Sequence, residues 1–452
     1  MGGGPAGSIF AARMAELGHD VALIERSAFP RRTLGESLSA GVMPLLAAVG
    51  VSGEVERAKF SSVRETLVSW DAASQVRIDP AARGLIVDRG VFDRILLNHA
   101  VDRGVRVLQP ARLGARAWVD GRWQLNVEHG CTTERRRADY LCIATGRRAR
   151  KRAAPAGTST IAVYGYWRAE PGMACIESGA DAWFWSVPLP DGNRNVLAFL
   201  DPAVLRRTEG MTLADKLRTL LASTRFCGLT ADATIEGEVR AIDATPYLDP
   251  APVSNAAISV GDVALAIDPI SSSGVQKAIQ GALSGAIVAN TILRRGDASG
   301  AAQRFYTEHL ARNAQRHGAW AASHYAAVAQ QRPRPFWADR AGGAVAESSA
   351  LEAPDPSAST RLGLSSLARF EDVPCLIGDF VEWRPAVSHP RLEEPLAYLG
   401  GWVVAERLRR LAPGQTPLQI ARAWSDAMPL ADALAIIGWL TRKALLKPVP
   451  VR

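Results

Sequence analysis

Lysine, cysteine and long apolar runs are all scarce in this sequence. No stretch of about 18 consecutive apolar residues occurs, which argues against a membrane-spanning helix, and the first residues lack the basic and then apolar pattern of an export signal. We therefore expect a cytoplasmic protein without a membrane partner. The five cysteines form no CxxC pair, so neither a disulfide framework nor a metal site is expected.

The scarcity of lysine bears on the net charge of +8. Only six of the 53 basic residues are lysine and the other 47 are arginine, a bias typical of a GC-rich genome. The densest basic stretches, residues 147–152 and Arg135–Arg137, have no interleaved aromatic side chains on which bases would stack. Solvated loops explain these stretches better than a nucleic-acid partner.

Composition excludes an intrinsically disordered chain. Hydrophobic residues make up 48% of the sequence and charged residues 22%. Because 452 residues exceed what one hydrophobic core ordinarily holds, we expect two or three domains.

A glycine-rich turn opens the chain. Three glycines have the GxGxxG spacing: Gly2, Gly4 and Gly7. Residues 8–17 then have the composition of a helix, and the apolar run Val21–Ile24 ends at Glu25. In dinucleotide-binding units such glycines let the backbone approach a pyrophosphate, the helix N-terminus attracts its charge, and the acid accepts ribose hydroxyls. The pattern predicts a Rossmann-like nucleotide site.

The strand that precedes such a motif is missing, since only Met1 stands before Gly2. A parallel sheet without its central strand would leave two neighbouring strands unpaired. We therefore expect the natural chain to begin about five to eight residues upstream, given typical strand lengths.

Further motifs follow along the chain, and their order is informative. They are Phe29-Pro30-Arg31 with Gly35-Glu36-Ser37, Arg89 at the start of a predicted helix, a strand ending in Ala144-Thr145-Gly146, a strand ending in Gly261-Asp262, and Asp268 to Gly274 before a predicted helix over Val275–Arg294. Together they resemble FAD-dependent monooxygenases of the para-hydroxybenzoate hydroxylase fold. The FPRxxxGES and DPxxSSG forms resemble its flavin-dependent halogenase branch, over roughly residues 1–330.

This resemblance implies FAD as cofactor. The residues that it places at FAD are Gly2, Gly4, Pro5, Ala6, Gly7, Glu25, Arg26, Glu36, Ser37, Arg89, Ala144, Gly146, Asp262, Pro269, Gly274 and Val275. Among them, Asp262 would hold ribityl hydroxyls, Arg89 would lie near the phosphate or ribityl chain, and residues 269–275 would line the isoalloxazine. Because Gly274 precedes a helix, the positive end of that helix suits the charge of a reduced flavin.

Two halogenase features can be compared with this chain. Residues 183–188, read as WFWSVP, resemble the halogenase WxWxIP signature. The lysine that delivers the halogen is absent from the corresponding stretch, Phe60–Thr66, and the nearest lysine, Lys59, fits an exposed helix end. Ser271 stands where tryptophan halogenases carry a glutamate.

Without that lysine, the resemblance implies hydroxylation of an electron-rich aromatic ring by O2 through a C4a-hydroperoxyflavin. No second GxGxxG motif occurs, so NAD(P)H would bind transiently or a separate flavin reductase would supply electrons. No catalytic acid or base stands out. The candidates for the substrate side are Trp183, Trp185, Ser271 and Ser272.

Two alternatives to hydroxylation stay open. One is halogenation of a small aromatic compound. The other is a flavin reductase, or a flavin-bearing binding protein, that does not oxygenate.

The expected fold is α/β: a Rossmann-like FAD-binding domain, an inserted antiparallel-sheet substrate domain and a mostly helical C-terminal domain. The expected bounds are 1–160 for the first FAD-binding part, with small strand insertions around 60–85, 161–250 for the substrate sheet, 251–335 for the second FAD-binding part with long helices, 336–366 for a linker, and 367–452 for the C-terminal domain. Aromatic residues of the sheet, Trp183 and Trp185 among them, are either core or substrate contacts.

The C-terminal domain is predicted to contain three short helices, over Gly401–Leu411, Pro417–Ser425 and Leu430–Leu446. This order resembles a winged-helix module, and a packing or dimerisation domain is the alternative. Its mixed charge disfavours DNA and favours a peptide partner. The whole combination resembles the flavoprotein monooxygenases of tryptophylquinone cofactor biogenesis for quinohemoprotein amine dehydrogenase. That resemblance implies a tryptophan in a precursor polypeptide as substrate, held in part by the C-terminal domain.

Overall fold

The computed structural model describes residues 1–70, 74–78, 84–147, 157–168, 172–207, 210–225, 233–342 and 356–449. The chain divides into two compact units, Met1–Leu293 with Tyr306–Val345, and Arg294–Phe305 with Ala346–Arg452. Among the described residues, no helix has both the length and the apolar character needed to cross a membrane.

Residues 1–341 contain both helices and strands. The helices are α1 (Pro5–Glu16), α2 (Val42–Ala48), α3 (Ser52–Arg57), α4 (Arg89–Asp102), α5 (Pro202–Arg206), α6 (Leu213–Leu221), α7 (Gly274–Arg294), α8 (Ser299–Ala329) and α9 (Pro335–Ala341). The strands are β1 (Ala22–Ile24), β2 (Ser37–Leu38), β3 (Ser61–Val63), β4 (Glu65–Ser69), β5 (Ser74–Ile78), β6 (Gly84–Ile86), β7 (Arg106–Leu108), β8 (Arg112–Val119), β9 (Arg122–His129), β10 (Thr132–Ala138), β11 (Leu141–Ile143), β12 (Ile161–Arg168), β13 (Ala174–Ser178), β14 (Ala182–Pro188), β15 (Asn193–Leu200), β16 (Thr234–Ile235), β17 (Arg240–Asp243), β18 (Tyr247–Leu248), β19 (Ala257–Ser259) and β20 (Leu265–Ala266).

The nucleotide-binding region contains two parallel strand pairs, β1 with β7 and β11 with β19. The backbone at the start of the chain connects them. The Met1 amino group donates to the Cys142 carbonyl at 2.9 Å, the Ala144 N–H donates to the Met1 carbonyl at 2.8 Å, and the Gly2 N–H donates to the Ile24 carbonyl at 2.8 Å. Met1 and Gly2 therefore lie where the motif places its central strand.

A large sheet forms the second part of this unit. Its strand order is β16, β12, β15, β14, β13, β4, β5, with β17 also paired to β12. Strands β4 and β5, expected only as small insertions, extend this sheet, and β4 runs parallel to β13. Their contribution was not visible from the sequence because about 100 residues separate β4 from its partner strand.

The region expected to be a linker from residue 336 is helical up to Ala341. Phe336 and Trp337 are buried, and the Arg340 guanidinium donates to Asp201 at 2.6 Å and to the Thr160 hydroxyl at 2.9 Å. Two aromatic anchors and a buried ion pair fix α9 against the sheet, so this part of the linker prediction is wrong. Residues 343–355 of the same stretch lie outside the described residues.

The second unit combines short strands with three helices. They are β21 (Leu362–Leu364), β22 (Arg369–Ile377), β23 (Phe380–Ser388), β24 (Tyr398–Leu399), β25 (Trp402–Val403), α10 (Ala405–Arg409), α11 (Pro417–Ala423), α12 (Leu430–Arg442) and β26 (Leu446–Pro448). A capping box between Thr416 and Gln419 begins α11. The last helix ends at Arg442 instead of Leu446, because Ala444 has φ +57° and the chain then pairs with β21.

Candidate functional site

The glycine turn has the geometry that the GxGxxG spacing predicts. Gly2 has φ +100°, and a Cβ atom there would lie 2.3 Å from the Ala144 carbonyl oxygen. A Cβ on Gly7 would lie 1.8 Å from the carbonyl oxygen of Gly2. A Cβ on Gly4 would meet only Arg31 Nη2, at 3.8 Å. The first and third glycines thus permit the turn itself, whereas the second faces open space.

Helix α1 begins at this turn. Its N-cap is Gly4, no side chain caps it, and Pro5 occupies the first turn, so its N-terminal amides are available to an anion. Ala6 is buried, and a Cβ on Gly261 would come within 2.7 Å of it, which shows how closely the two motifs pack.

Glu25 follows β1, as predicted. Its carboxylate accepts the Gly3 N–H at 2.7 Å and the Ser27 N–H at 2.9 Å, while Arg26 is exposed. Glu25 is therefore held beside the glycine turn.

Arg89 is the first residue of α4, which Asp88 caps. Its guanidinium donates to Asp93 at 3.0 Å and to the carbonyls of Leu34 and Gly35 at 2.9 and 3.2 Å. Burial opposes the charge of Arg89, but Asp93 outweighs it and raises the pKa of the guanidinium. Arg89 thus fixes the loop that carries the GES motif.

Glu36 connects that loop to the large sheet. Its carboxylate accepts the Tyr166 hydroxyl at 2.5 Å, the Asn195 amide at 3.0 Å and the Gly35 N–H at 2.9 Å. Burial, reinforced by Glu36, raises the pKa of Tyr166, which remains the donor. Ser37 lies in β2, which pairs with β6. Glu36 was predicted at the flavin, and its contacts here are to the sheet and to its own loop.

Asp262 lies between two cations that sequence reasoning missed. Its carboxylate accepts from Lys277 Nζ at 2.8 Å and from Arg147 Nε at 3.3 Å, and Lys277 also donates to the Leu265 carbonyl. Burial alone would raise the pKa of Asp262, but Lys277 and Arg147 lower it to about 2. Burial lowers the pKa of Lys277, and the nearby Asp262 carboxylate partly offsets that decrease.

The basic stretch around Arg147 predicted a solvated loop, but Arg147 itself is not fully exposed to solvent. It is partly buried and also donates to the carbonyls of Thr245 and Ile267, at 3.2 and 3.1 Å. Residues 148–152 of the same basic stretch lie outside the described residues.

The loop before α7 is open on one side. The residues of this loop are partly or fully exposed, apart from the buried Ile270: Asp268, Pro269, Ser271, Ser272, Ser273, Gly274 and Val275. A Cβ on Gly274 or on Gly146 would meet no atom within 4 Å. Among the described residues, helix α7 therefore presents its N-terminus to open space.

The sheet presents three rows of side chains on its face toward this loop, since directly opposed residues of antiparallel strands share a face. The first row, which includes Trp183 and Phe199, is buried, and these two rings stack at 3.8 Å. The third row includes Tyr166 and Asn195. The members of the middle row are Tyr164, Leu197, Trp185, Ile176 and Val68. The row is flanked by Arg240 on β17, opposite Tyr164, and by Gln75 on β5, opposite Val68.

Four side chains of the middle row are accessible, whereas Leu197 is buried. Tyr164, Trp185, Ile176 and Val68 are all partly exposed, and they pack with Leu34 of the GES loop and Ile270 of the α7 loop. Trp183, by contrast, is a core residue whose indole N–H donates to the Tyr325 hydroxyl at 3.1 Å. Of the two tryptophans predicted on the substrate side, Trp185 is therefore the accessible one.

Lys59 is exposed and follows α3 with φ +53°, as a helix-end residue would. It lies in none of the three rows.

The chemistry of these residues fits FAD. Three features suit the adenosine diphosphate part of FAD. They are the glycine turn with its open Gly4, the uncapped start of α1 and Glu25 at the end of β1. Among the described residues, the buried Thr145 hydroxyl and Arg31 Nε, near the turn, have no hydrogen-bond partner, although Arg31 Nε lies 3.9 Å from the Glu25 carboxylate. The open N-terminus of α7 suits the isoalloxazine.

Comparisons with known proteins agree with this arrangement. An FAD-binding domain family matches residues 1–165. The tryptophan 2-halogenase of Chondromyces crocatus is 27% identical over 335 residues, which cover 68% of this chain and 63% of that protein. A flavin-dependent halogenase of Armillaria mellea is 28% identical over 363 residues, covering 69% of this chain and 68% of its own length. The chain thus spans less than two thirds of the length of the first of these relatives.

Solved structures extend the match over the whole chain. The flavin-dependent halogenase CmlS has a TM-score of 0.77 at 21% identity, with 100% of this chain and 96% of that chain covered, which shows the fold. The peptidyl tryptophan dihydroxylase QhpG, essential for tryptophylquinone cofactor biogenesis, has a TM-score of 0.74 at 26% identity, with 98% of both chains covered. The chain is therefore a flavoprotein with an FAD-binding domain over residues 1–165 and the fold that flavin-dependent halogenases share with this dihydroxylase.

Proposed function

We propose that the chain is an FAD-dependent monooxygenase that hydroxylates an electron-rich aromatic ring, and that the ring belongs to a tryptophan of a precursor polypeptide. The middle row of the sheet carries this proposal. Its two accessible aromatic rings, Tyr164 and Trp185, offer faces on which a flat aromatic substrate can stack.

FAD, when bound and reduced, supplies the electrophilic oxygen from O2. The residues proposed to hold it are those of the glycine turn, Glu25, Asp262 and the loop from Pro269 to Val275. The protein's own contribution is to orient the ring and to exclude water. Leu34 and Ile270 belong to the same hydrophobic cluster as the middle row.

A polypeptide substrate suits this surface better than a free amino acid. The five side chains of the middle row are uncharged, so the ammonium group of free tryptophan would find no partner among them, and Arg240, which lies opposite Tyr164 at the edge of the row, is exposed. A tryptophan inside a polypeptide presents only its neutral indole to the row. The dihydroxylase that this chain resembles acts on peptidyl tryptophan. We propose that part of the second unit binds residues of the polypeptide other than the tryptophan itself.

The expected result is oxygen transfer to one tryptophan. Enzyme reduced with NAD(P)H or a flavin reductase should add one or two labelled oxygen atoms from isotopically labelled O2 to the precursor polypeptide. Fragmentation mass spectrometry should place every added oxygen atom on the same indole. A polypeptide with that tryptophan replaced by phenylalanine is the control. Product formed only from free phenols or indoles would overturn the polypeptide substrate.

Halogenation is the second candidate, because the curated relatives are halogenases. It would require a lysine to deliver the halogen, and Lys59 is the candidate that the sequence offers. If the chain halogenates, product mass should increase only when chloride or bromide is present, and Lys59→Ala should abolish the increase. We expect no halide dependence and unchanged oxygenation in Lys59→Ala, because Lys59 is exposed and lies outside the three rows.

A further inference from the structure

We propose that Asp268 is the proton acceptor of this site and that Tyr325, hydrogen-bonded to Trp183, is the residue that positions it. This inference rests on the proposed hydroxylation. Asp268 immediately precedes Pro269 in the loop proposed to line the isoalloxazine, and the residue is partly exposed.

Hydrogen bonds connect Asp268 through Tyr325 to the sheet and fix it within its own loop. The Trp183 indole N–H donates to the Tyr325 hydroxyl oxygen at 3.1 Å. That hydroxyl donates in turn to the Asp268 carboxylate, at 3.1 Å from both oxygens. The Ile270 N–H also donates to Asp268 Oδ1, at 3.0 Å. The carboxylate is therefore held in one orientation, between the α7 loop and the row that contains Trp183.

The surroundings of this carboxyl group favour a base. Burial raises the pKa of Asp268, and the Ile270 N–H and the Tyr325 hydroxyl oppose that rise. Two cations also face it, Arg340 from α9 and Arg147 from the segment after β11, and both lower its pKa. Burial raises the pKa of Tyr325 well above its usual range, so this phenol stays a donor.

The proton in question comes from the ring. When the electrophilic oxygen bonds to a ring carbon, the O–O bond of the dioxygen-derived donor would break and its electron pair would stay on the oxygen left behind. The ring carbon still holds its hydrogen and the ring has lost its aromaticity. Cleavage of the C–H bond returns its electron pair to the ring, and the proton passes to an oxygen of Asp268. Asp268, three residues before Ser271, supplies a carboxylate from this loop.

Asp268→Asn tests this role with little change of shape, because an amide oxygen still accepts from Ile270 and Tyr325. We expect kcat to fall about 100-fold, the scale of general base catalysis. A primary isotope effect on ring C–H cleavage should appear in this variant. FAD affinity should stay within about twofold of wild type. Asp249→Asn is the matched control. Asp249 lies outside the three rows and accepts the Ala251 N–H at 3.1 Å, in the same kind of turn as the one that Asp268 makes with Ile270.

Tyr325→Phe provides an independent readout. Removing this donor raises the pKa of Asp268, so the acid limb of the kcat profile should move to higher pH, whereas in Asp268→Asn that limb should disappear. Infrared difference spectra of the apoprotein, with Asp268→Asn as the blank, should show the carboxyl band of Asp268 titrating at higher pH in Tyr325→Phe. This readout requires no flavin.

The inference is overturned if Asp268→Asn oxygenates at a rate within about twofold of wild type, or if the acid limb is the same in wild type and Tyr325→Phe. A wild-type enzyme that adds no oxygen to any aromatic compound would instead contradict the proposed function. The two failures are therefore distinguishable.

Discussion

Gly4→Ala should lose FAD while keeping its fold. Gly4 has φ −74° and ψ −177°, which alanine adopts readily, and its Cβ would meet only one side-chain atom at 3.8 Å. If the pyrophosphate approaches the backbone at the second glycine, a methyl group occupies the space that it needs. We expect the dissociation constant for FAD to rise at least about 100-fold, or about 2.7 kcal/mol. Flavin fluorescence titration of the apoprotein measures it.

Gly7→Ala is the matched comparison within the same motif. Its Cβ would lie 1.8 Å from a backbone oxygen of Gly2, so the turn must move whether or not FAD is present. We expect the apoprotein to lose about 3 kcal/mol or more of unfolding free energy, at the upper end for an overpacked site. Gly4→Ala should lose about 1 kcal/mol or less, the cost of alanine at an N-cap. Urea unfolding of both apoproteins checks the difference.

Equal destabilisation of the two variants would show that Gly4 serves the turn rather than a ligand. Retention of wild-type FAD affinity in Gly4→Ala would place the pyrophosphate elsewhere.

What the sequence could predict is mostly local. The glycine turn, Glu25 and the helix that starts at Gly274 follow from residue types within a few positions of one another. The spacing of Trp183 and Trp185 was equally visible, but periodicity could not tell which of them is buried. That difference arises from α8, whose Tyr325 meets Trp183 across 142 residues of sequence.

Long-range polar contacts were beyond sequence reasoning. Arg147 and Asp262 are 115 residues apart, and Arg147 belongs to a stretch that is typical of a solvated loop. Lys277 left one usable signal. It is a lysine, a rare residue in this chain, on the face of α7 that also carries the buried Val288, eleven residues later. A cation on an apolar helix face requires a buried partner, and the predicted flavin residue Asp262 is that partner.

Asp262 and Lys277 should respond unequally to substitution, because each leaves a different partner behind. Asp262→Asn leaves the Lys277 ammonium buried with only neutral oxygen acceptors, and we expect a loss of about 3 to 5 kcal/mol of unfolding free energy. Lys277→Met leaves Asp262 partly exposed and still paired with Arg147 at 3.3 Å, so a loss of about 1 to 2 kcal/mol is expected. The double variant should be more stable than Asp262→Asn alone, since the ammonium is gone.

The effect of pH follows from the same pair. The carboxyl of Asp262 has its pKa lowered from 3.8 to about 2 in the fold, so its contribution is present above 3.8 and is lost as pH falls through about 2. The stability difference between wild type and Asp262→Asn should therefore shrink over that interval.

FAD binding separates the roles of the two residues. If Asp262 holds the ribityl chain, Asp262→Asn and the double variant should each raise the dissociation constant for FAD about tenfold, or about 1.4 kcal/mol. Lys277→Met retains the Asp262 carboxylate and should change the dissociation constant for FAD far less. Additive losses of unfolding free energy in the double variant would show that the two side chains act independently. Equal loss of FAD in both single variants would mean that the ammonium itself, and not only the carboxylate that it orients, is required for the flavin.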